Sequence, residues 1–428
     1  MHLKQNLGRK PTINSTLDAW LAYLERPETA RIELGLSRVR KVAQLLHLKP
    51  TCPVIIVGGT NGKGSTVAML EACYHNTHYR VGAYTSPHLL HFNERIRVNQ
   101  NRVETSRLCE AFSEIETARG KISLTYFEHV TLSALWIFTR TSLDVMILEV
   151  GLGGRLDATN IIDADLAILT SIDLDHMHYL GTTREAIARE KAGILRPYQK
   201  AVCGDPDPPA SLREIATGLS VDLDYSGKDF NMVHKENAFL FQNKTLSLTC
   251  KPPKLAVQNV ATVLQAVFKL QEKLPIDIEK IPDLLSKTTL TGRQEMRTMG
   301  RYDLLLDVAH NPHGLRYLAQ TIAARKHVQS VPKVHAVFSM LADKDIVSSI
   351  ACLEPVIDVW HVGMIKHPRA SKLEILKACF KHAAVKEYHF YDCIPAAFWA
   401  AQEAVRPGDL LVVCGSFFVV SEVYPYLS

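Results

Sequence analysis

The chain has 428 residues, too long for one ordinary hydrophobic core, so about two to three domains are expected. Apolar residues make up 47% and charged residues 22%, the balance of a globular protein, and no stretch approaches the roughly 18 apolar residues of a membrane span. A net charge of +5 without a dense Lys/Arg run suits small anionic ligands and argues against nucleic acid.

The opening "MHLKQNLGRKPTINS" lacks an apolar core of signal-peptide length. A helix is predicted over "STLDAWLAYLE", capped by Ser15 or Thr16, with Leu17, Leu21 and Leu24 on one face. An amphipathic helix follows at "LSRVRKVAQLLHL". Strand and helix signals then alternate: strand "VIIVGG", helix "GSTVAMLEACYHN", strand "RVGAYTS", helix "YFEHVTLSALWIFTR", strands "LDVMILEVG" and "ADLAILTSI", helix "TTREAIAREKAGIL". Apolar strands alternating with helices predict a parallel sheet covered on both faces. After the turn-rich "GDPDPP", the stretch "NAFLFQNKTLSLTC" reads as an edge hairpin centred on Gln242-Asn243, and the helix "AVQNVATVLQAVFKL" closes the first domain. Alternation restarts at "RYDLLLDVAH" and continues through "KVHAVFSML", "VIDVWHVGM", "EYHFYD" and "DLLVVCGSF". The expected domains are 1–292 and a smaller α/β domain, 293–428. The nine cysteines, odd in number and never in C-x-x-C, read as free thiols of a reducing, cytoplasmic compartment.

The chemistry collects at strand ends. In "VIIVGGTNGKGSTVAML" a β-branched strand meets Gly58-Gly59 and a helix leaves after Gly64, the setting a phosphate loop requires. The spelling departs from G-x-x-x-x-G-K-[ST]: Gly62-Lys63 is followed by Gly64, and the hydroxyls of Ser65 and Thr66 come one residue late. Lys63 suits the β/γ-phosphates. Glu149 ends the strand of "MILEVGLGGRLDATN", where a carboxylate serves either as a Mg²⁺ ligand or as a cap. The next strand delivers Asp173, Asp175, His176 and His178, and composition does not choose between the histidines. The helix "TTREAIAREKAGIL" opens with a predicted capping box, Thr182 with Glu185. Lys191 lies on its apolar face with Ile187 and Ile194. It is either a snorkelling lysine or a buried amine able to take up CO₂ as a carbamate. Ser86, before Pro87, is a further oxygen donor or a turn cap. In the second domain Arg293, and Asp307, His310 and Asn311 at another strand end, suit either a nucleotide or an ion pair at a domain interface.

Taken in order, "GTNGKGST", "YTSPHL", "SLTYFE", "LEVGLGGRLDATN", "TSIDLDH", "REKAGI", "TGRQE", "LDVAHNP", "MLADKD" and "VCGSF" resemble the Mur ligase superfamily, and within it the bacterial bifunctional dihydrofolate synthase/folylpolyglutamate synthases. The resemblance runs from about residue 15 to the C-terminus and makes the odd loop regular for its kind. It implies a Mur-ligase-like α/β fold: a P-loop parallel-sheet ATPase domain followed by a smaller Rossmann-like α/β domain. It implies that Gly59, Thr60, Asn61, Gly62, Lys63, Gly64 and Ser65 cradle ATP, joined by Asn259, Arg293, Asp307 and His310 in a crevice between the domains. Ser86, Glu149, His176 and Lys191 match ligands of two Mg²⁺, with Lys191 carbamylated. Ile32, Glu33, Leu34 and Gly35, with Thr125, Tyr126, Phe127 and Glu128 and with Leu156, Asp157 and Ala158, match the pteroate-binding segments. The implied catalytic residues are Lys63, Glu149, His176 and Lys191. The implied reaction is ATP-driven addition of L-glutamate to 7,8-dihydropteroate and to tetrahydrofolates through an acyl phosphate; because the two domains of one chain can assemble the site, a monomer is expected. The alternatives are a folylpolyglutamate synthase alone or a nucleotide-binding regulator that does not ligate. Three departures stand out: Asn259 is followed by Val260 in "LAVQNVATVLQ", "TGRQE" replaces P-G-R, and Val308 stands in "LDVAHNP".

Overall fold

Val54–Gly58 is buried along its whole length. A strand with no polar face needs neighbours on both sides and cover above and below. The computed structural model supplies both, and describes residues 10–26, 29, 32–329 and 331–427. Residues 1–9, where most of the leader reading falls, and Ala30-Arg31 before Ile32 lie outside the described residues. Two compact units emerge. The first runs to Ile172 and resumes over Tyr179–Thr288; the second holds Asp173–His178 and everything from Thr289 onward.

The first unit is built on β1 (Val54–Gly58), β2 (Val81–Tyr84), β3 (Ile96–Val98), β4 (Asn101–Arg102), β5 (Val145–Glu149), β6 (Leu166–Leu169), β7 (Lys200–Cys203) and β8 (Asp222–Tyr225). They form one sheet in the order β4-β3-β2-β5-β1-β6-β7-β8. From β2 across to β8 every neighbouring pair is parallel. The antiparallel β3 and β4 finish one edge. Parallel strands send all their carboxyl ends to one edge of the sheet. Gly58, Tyr84, Glu149 and Leu169 therefore end side by side. Along β1 and β5, Ile56, Met146 and Leu148 meet helix side chains such as Phe112, Leu135 and Ile187. The alternate residues Ile55, Val57 and Ile147 point to the opposite face and are equally buried.

The first helix is capped by Thr16, one of the two expected caps, whose hydroxyl accepts from Ala19 N. Other local expectations are corrected. The helix Arg184–Ala192 is capped by Thr183, not Thr182. Glu185 completes no capping box there, because its carboxylate receives the Ala210 and Ser211 N–H groups at the start of the next helix. Two adjacent threonines offer the same capping chemistry, and only the packing chooses. The hairpin is real but belongs to a three-stranded antiparallel sheet of β9 (Phe230–Lys235), β10 (Ala238–Asn243) and β11 (Ser247–Cys250). Its turn lies just after Gln242, with Asn243 Oδ1 accepting from Thr245 N and Leu246 N. The mostly polar β9 carried no strand signal. The helix Val257–Lys269 does not end the unit; Ile281–Lys287 also belongs to it.

The second unit orders β12 (Glu295–Thr298), β13 (Asp303–Leu306), β14 (Val334–Phe338), β15 (Val359–Gly363), β16 (Tyr388–Tyr391) and β17 (Leu410–Cys414) as β12-β13-β17-β14-β15-β16. All are parallel except β12, which pairs antiparallel with β13. Phe338, Trp360 and Phe380 meet edge to face at its core. No described helix is long and apolar enough to cross a membrane.

Two histidines are buried between strands of this sheet. His335 Nδ1 and His361 Nε2 lie 3.3 Å apart, and His361 Nδ1 lies 3.3 Å from the Tyr391 hydroxyl. Burial, then the neighbouring His335 and His389, push His361 down to about 4. An unfolded histidine takes up a proton near pH 6.5, about the ordinary value. Between that pH and about 4 the unfolded chain binds a proton that the folded His361 refuses. Stability should thus fall as pH drops through this window, by on the order of 3 kcal/mol at most, and level off below it. His361→Phe should shrink the difference between urea midpoints measured at pH 7 and at the acid end; an unchanged difference would place the acid sensitivity elsewhere.

Candidate active site

β1 stops at Gly58 because the backbone must turn sharply to enter the helix Lys63–His75. Gly59 (φ +141°) and Gly62 (φ +87°) take conformations that side chains disfavour. Space is equally restrictive. A Cβ on Gly59 would overlap Thr170 Oγ1, and one on Gly62 would come within 2.6 Å of Asn259 Oδ1. Thr170 and Ser171, just past β6, hold the loop: Thr170 Oγ1 donates to Asn61 O (2.6 Å), Thr60 N donates to Ser171 O (2.7 Å), and Asn61 N donates to Ser171 Oγ (3.1 Å). Sequence reasoning assigned neither residue a role. Their signal was two hydroxyl side chains at the end of an apolar strand, inside "TSIDLDH".

Lys63 Nζ folds back onto the carbonyls of Gly59 and Thr60, 3.1 Å from each. Lys191, only 3% exposed, donates to the same Gly59 carbonyl at 2.8 Å. The buried-face expectation for Lys191 therefore holds, and its head group reaches the phosphate loop instead of water. Both amines thus converge on one carbonyl oxygen at the phosphate loop, with N–H groups of the kind that a polyphosphate accepts. Ser65 lies in the first turn of the helix, and Thr66 is fully buried.

Glu149 ends β5, 4% exposed, and Val57 is its register partner on β1. Its Oε2 accepts from Ser86 N at 3.1 Å, which ties the loop after β2 to the end of β5. That loop is ordered by a second carboxylate: Glu94 accepts from the N–H groups of Leu89, Leu90 and His91. Among the described residues no group of three or more His, Cys, Asp and Glu side chains converges as a metal cage. Mg²⁺ does not require one, because it takes one or two protein oxygens and completes its shell with water and phosphate oxygens. The Glu149 carboxylate and the Ser86 hydroxyl are hard donors of that kind, so the residues present fit the ion.

The three pteroate segments all lie in the first unit. Thr125 and Glu128 form a capping box at the start of the helix Tyr126–Thr139. Phe127 packs against Gly151, where a Cβ would collide with its ring. Tyr126 faces the Arg95 guanidinium, 5.6 Å from the ring centroid. Asp157 is buried, and burial raises its carboxyl above the usual range despite bonds from Thr159 and Leu152 N. Its carboxylate organises the loop on either side of Leu156 and Ala158. Ile32–Gly35 is irregular backbone, linked to Glu128 through Arg38.

The second unit carries the remaining residues. Asp307 follows β13 and accepts from the backbone N–H groups of Gln294 and Ala309; burial raises it, and Arg293 opposes the rise. The Arg293 guanidinium lies over the Phe417 ring, 4.6 Å from its centroid. His310 Nδ1 lies 3.0 Å from Val308 O, and burial, then Lys344, push its imidazole down to about 4. Asp175 is the hub here: Lys344 Nζ donates to it at 2.6 Å and Asn311 Nδ2 at 2.8 Å, and His310 Nε2 lies 3.7 Å away. Burial would raise Asp175, yet His176, Lys344 and His310 together hold it well below the carboxylate range. These contacts explain why Asp173–His178, and with it His176, groups with the second unit. Asp173 pairs with Arg316 and His178 is exposed. In the sequence Lys344 stands only inside the motif "MLADKD", with no signal of its own.

With this geometry in place, comparisons with known proteins agree on one family. The Mur ligase middle domain family matches residues 57–262, and the Mur ligase, glutamate ligase domain family matches residues 292–417. The chain is 41% identical to the dihydrofolate synthase/folylpolyglutamate synthase of Escherichia coli K12, over 97% of each chain. In three dimensions it is similar to E. coli FolC in complex with DHPP and ADP, with a TM-score of 0.91 and 39% identity over 98% of this chain and 99% of that one. It is also similar to the Yersinia pestis bifunctional folylpolyglutamate synthase/dihydrofolate synthase complexed with AMPPNP and Mn, with a TM-score of 0.90 and 40% identity over 98% of this chain and 100% of that one.

The loop geometry sets an expectation. Gly59→Ala should weaken ADP binding by at least about tenfold, measured calorimetrically, because both the conformation and the space at this position exclude a side chain. Thr170→Val, which removes only the hydroxyl contacts, should weaken it by about a few-fold. Equal and small effects would show that the loop relaxes around both changes.

Proposed function

Because the chain belongs to the dihydrofolate synthase/folylpolyglutamate synthase family of Mur ligases, we propose that it is an ATP-dependent ligase that joins L-glutamate to 7,8-dihydropteroate and adds further glutamates to tetrahydrofolates. The observation that carries this reading is the pair of lysines, Lys63 and Lys191, meeting at the Gly59 carbonyl next to Glu149 on the neighbouring strand. A loop that merely held a nucleotide would not need the second lysine or the carboxylate.

In the proposed reaction a carboxylate oxygen of the acceptor attacks the γ-phosphorus of ATP. The bond from that phosphorus to the β–γ bridging oxygen breaks, and ADP leaves with its electron pair. The α-amine of glutamate then attacks the acyl carbon, loses a proton and expels phosphate. Loop residues Gly59–Ser65 bind the phosphates, and Lys63 exchanges its contacts with Gly59 O and Thr60 O for phosphate oxygens. Asn259, Arg293, Asp307 and His310 hold the nucleotide. Ile32–Gly35, Thr125–Glu128 and Leu156–Ala158 hold the pteridine acceptor and fix its carboxylate for attack. Ser86, Glu149, His176 and a carbamylated Lys191 would hold two Mg²⁺, which when bound offset charge on the γ-phosphate. Carbamylation deprotonates the Lys191 ammonium, forms an N–C bond between Nζ and CO₂ and releases a second proton, two in all. It replaces a cation by an oxygen donor, and the remaining N–H can still serve the Gly59 carbonyl. We further propose that the enzyme acts as a cytoplasmic monomer, since one chain carries every residue of the set and its nine cysteines are free thiols.

Coupled ADP release tests the ligase directly. The purified protein should release ADP only when Mg-ATP, L-glutamate and either dihydropteroate or tetrahydrofolate are all present. Release with tetrahydrofolate alone would restrict it to tail lengthening. Lys191→Ala should lower kcat by about 100-fold or more, about 2.7 kcal/mol of barrier. ¹³C-bicarbonate should label a carbamate carbonyl in the parent protein that is missing from the variant, and no label in either would refute the carbamate.

A further inference from the structure

Arg38 joins two segments that lie far apart in sequence. It sits in the first turn of the helix Ser37–Leu45. Its Nη2 donates to Glu128 Oε1 at 3.0 Å, and its Nε donates to Glu128 Oε2 at 3.4 Å. The same guanidinium reaches back to Glu33, through Nη2 to the backbone carbonyl at 2.8 Å and through Nη1 to the carboxylate. Glu128 is buried, and its Oε2 also takes the Thr125 N–H of the capping box. Ile32–Gly35, by contrast, lies in neither helix nor strand. Beside Gly35 (φ +154°), no atom of the described residues lies within 4 Å of where a Cβ would stand. One planar fork thus holds an irregular segment to the rigid start of a helix.

We infer that Arg38 is a positioning residue that sets the spacing between Ile32–Gly35 and Thr125–Glu128 and so preorganises the acceptor site. The inference rests on reading those two segments as pteroate-binding. Its physical basis is entropy: irregular backbone that must be ordered when a ligand arrives costs affinity, and a clamp formed beforehand removes that cost. Arg38 acts through the segments and not on the substrate, because Nε, Nη1 and Nη2 are each engaged with Glu33 or Glu128. Lysine cannot copy the arrangement, because an ammonium group lacks the planar fork that spans two carboxylates and a carbonyl.

The test uses full-length Arg38→Gln and Arg38→Lys. In Arg38→Gln the KM for dihydropteroate should rise by about tenfold or more, while kcat and the KM for ATP change by less than about twofold. Arg38→Lys should fall between. Independently of substrate, amide hydrogen exchange in the peptide covering Glu33–Leu36 should be about tenfold faster in Arg38→Gln than in the parent, with bound dihydropteroate narrowing the gap. An unchanged acceptor KM, or unchanged exchange, overturns the inference. A matched loss of kcat and ATP affinity with a lowered Tm also overturns it, by making Arg38 a general fold contact. Should Arg38→Gln fail to fold, exchange in Arg38→Lys decides. If the parent protein does not bind dihydropteroate, the proposed function falls, while the exchange comparison still decides whether the clamp exists.

Discussion

One carbonyl oxygen organises the first unit's candidate site. The Gly59 carbonyl accepts from Lys63 and from Lys191, which come from different helices. It can do so because Gly59 sits just beyond the innermost strand of a parallel sheet and takes a conformation only glycine holds easily. Thr170 closes the space where a side chain would otherwise be. Further along the loop the left-handed Gly62 packs on Asn259. The proposed function assigns the two amines that meet at this oxygen different tasks, phosphate binding for Lys63 and carbamylation for Lys191.

Around this centre, buried and half-buried carboxylates serve the backbone. Glu94 takes three consecutive N–H groups, Asp157 takes two, and Asp307 takes two from separate segments. Glu71, on the helix that follows the phosphate loop, is held by Arg97, which also donates to Thr85 Oγ1 next to Ser86. Loops with no regular secondary structure must satisfy their N–H groups somewhere, and these acids do so here.

The second unit applies the same economy to a different end. Asp175 gathers Lys344, Asn311 and His310, and with them carries the short Asp173–His178 segment. A carboxylate shielded from water that keeps a lysine and an amide donor stays ionised and fixes its neighbours. His176, with φ +50°, follows directly from that anchored acid.

By itself the sequence determined the alternation of strands and helices, the two α/β units and the strand ends where function gathers. These follow from local period and from Gly and Pro placement, which neighbouring residues settle among themselves. It also carried the motif order that named the family. What only the tertiary structure decided are the choices that depend on residues distant along the chain. Thr183 caps its helix in place of Thr182 because Glu185 is drawn away to Ala210 and Ser211. Lys191 points its amine at Gly59, 132 residues away, where periodicity allowed it equally to snorkel. Arg38 reads as one more charge on an amphipathic helix until Glu128 is folded beside it. Long side chains in one local pattern have many possible partners, and the energy that selects among them appears only when burial removes water as the alternative.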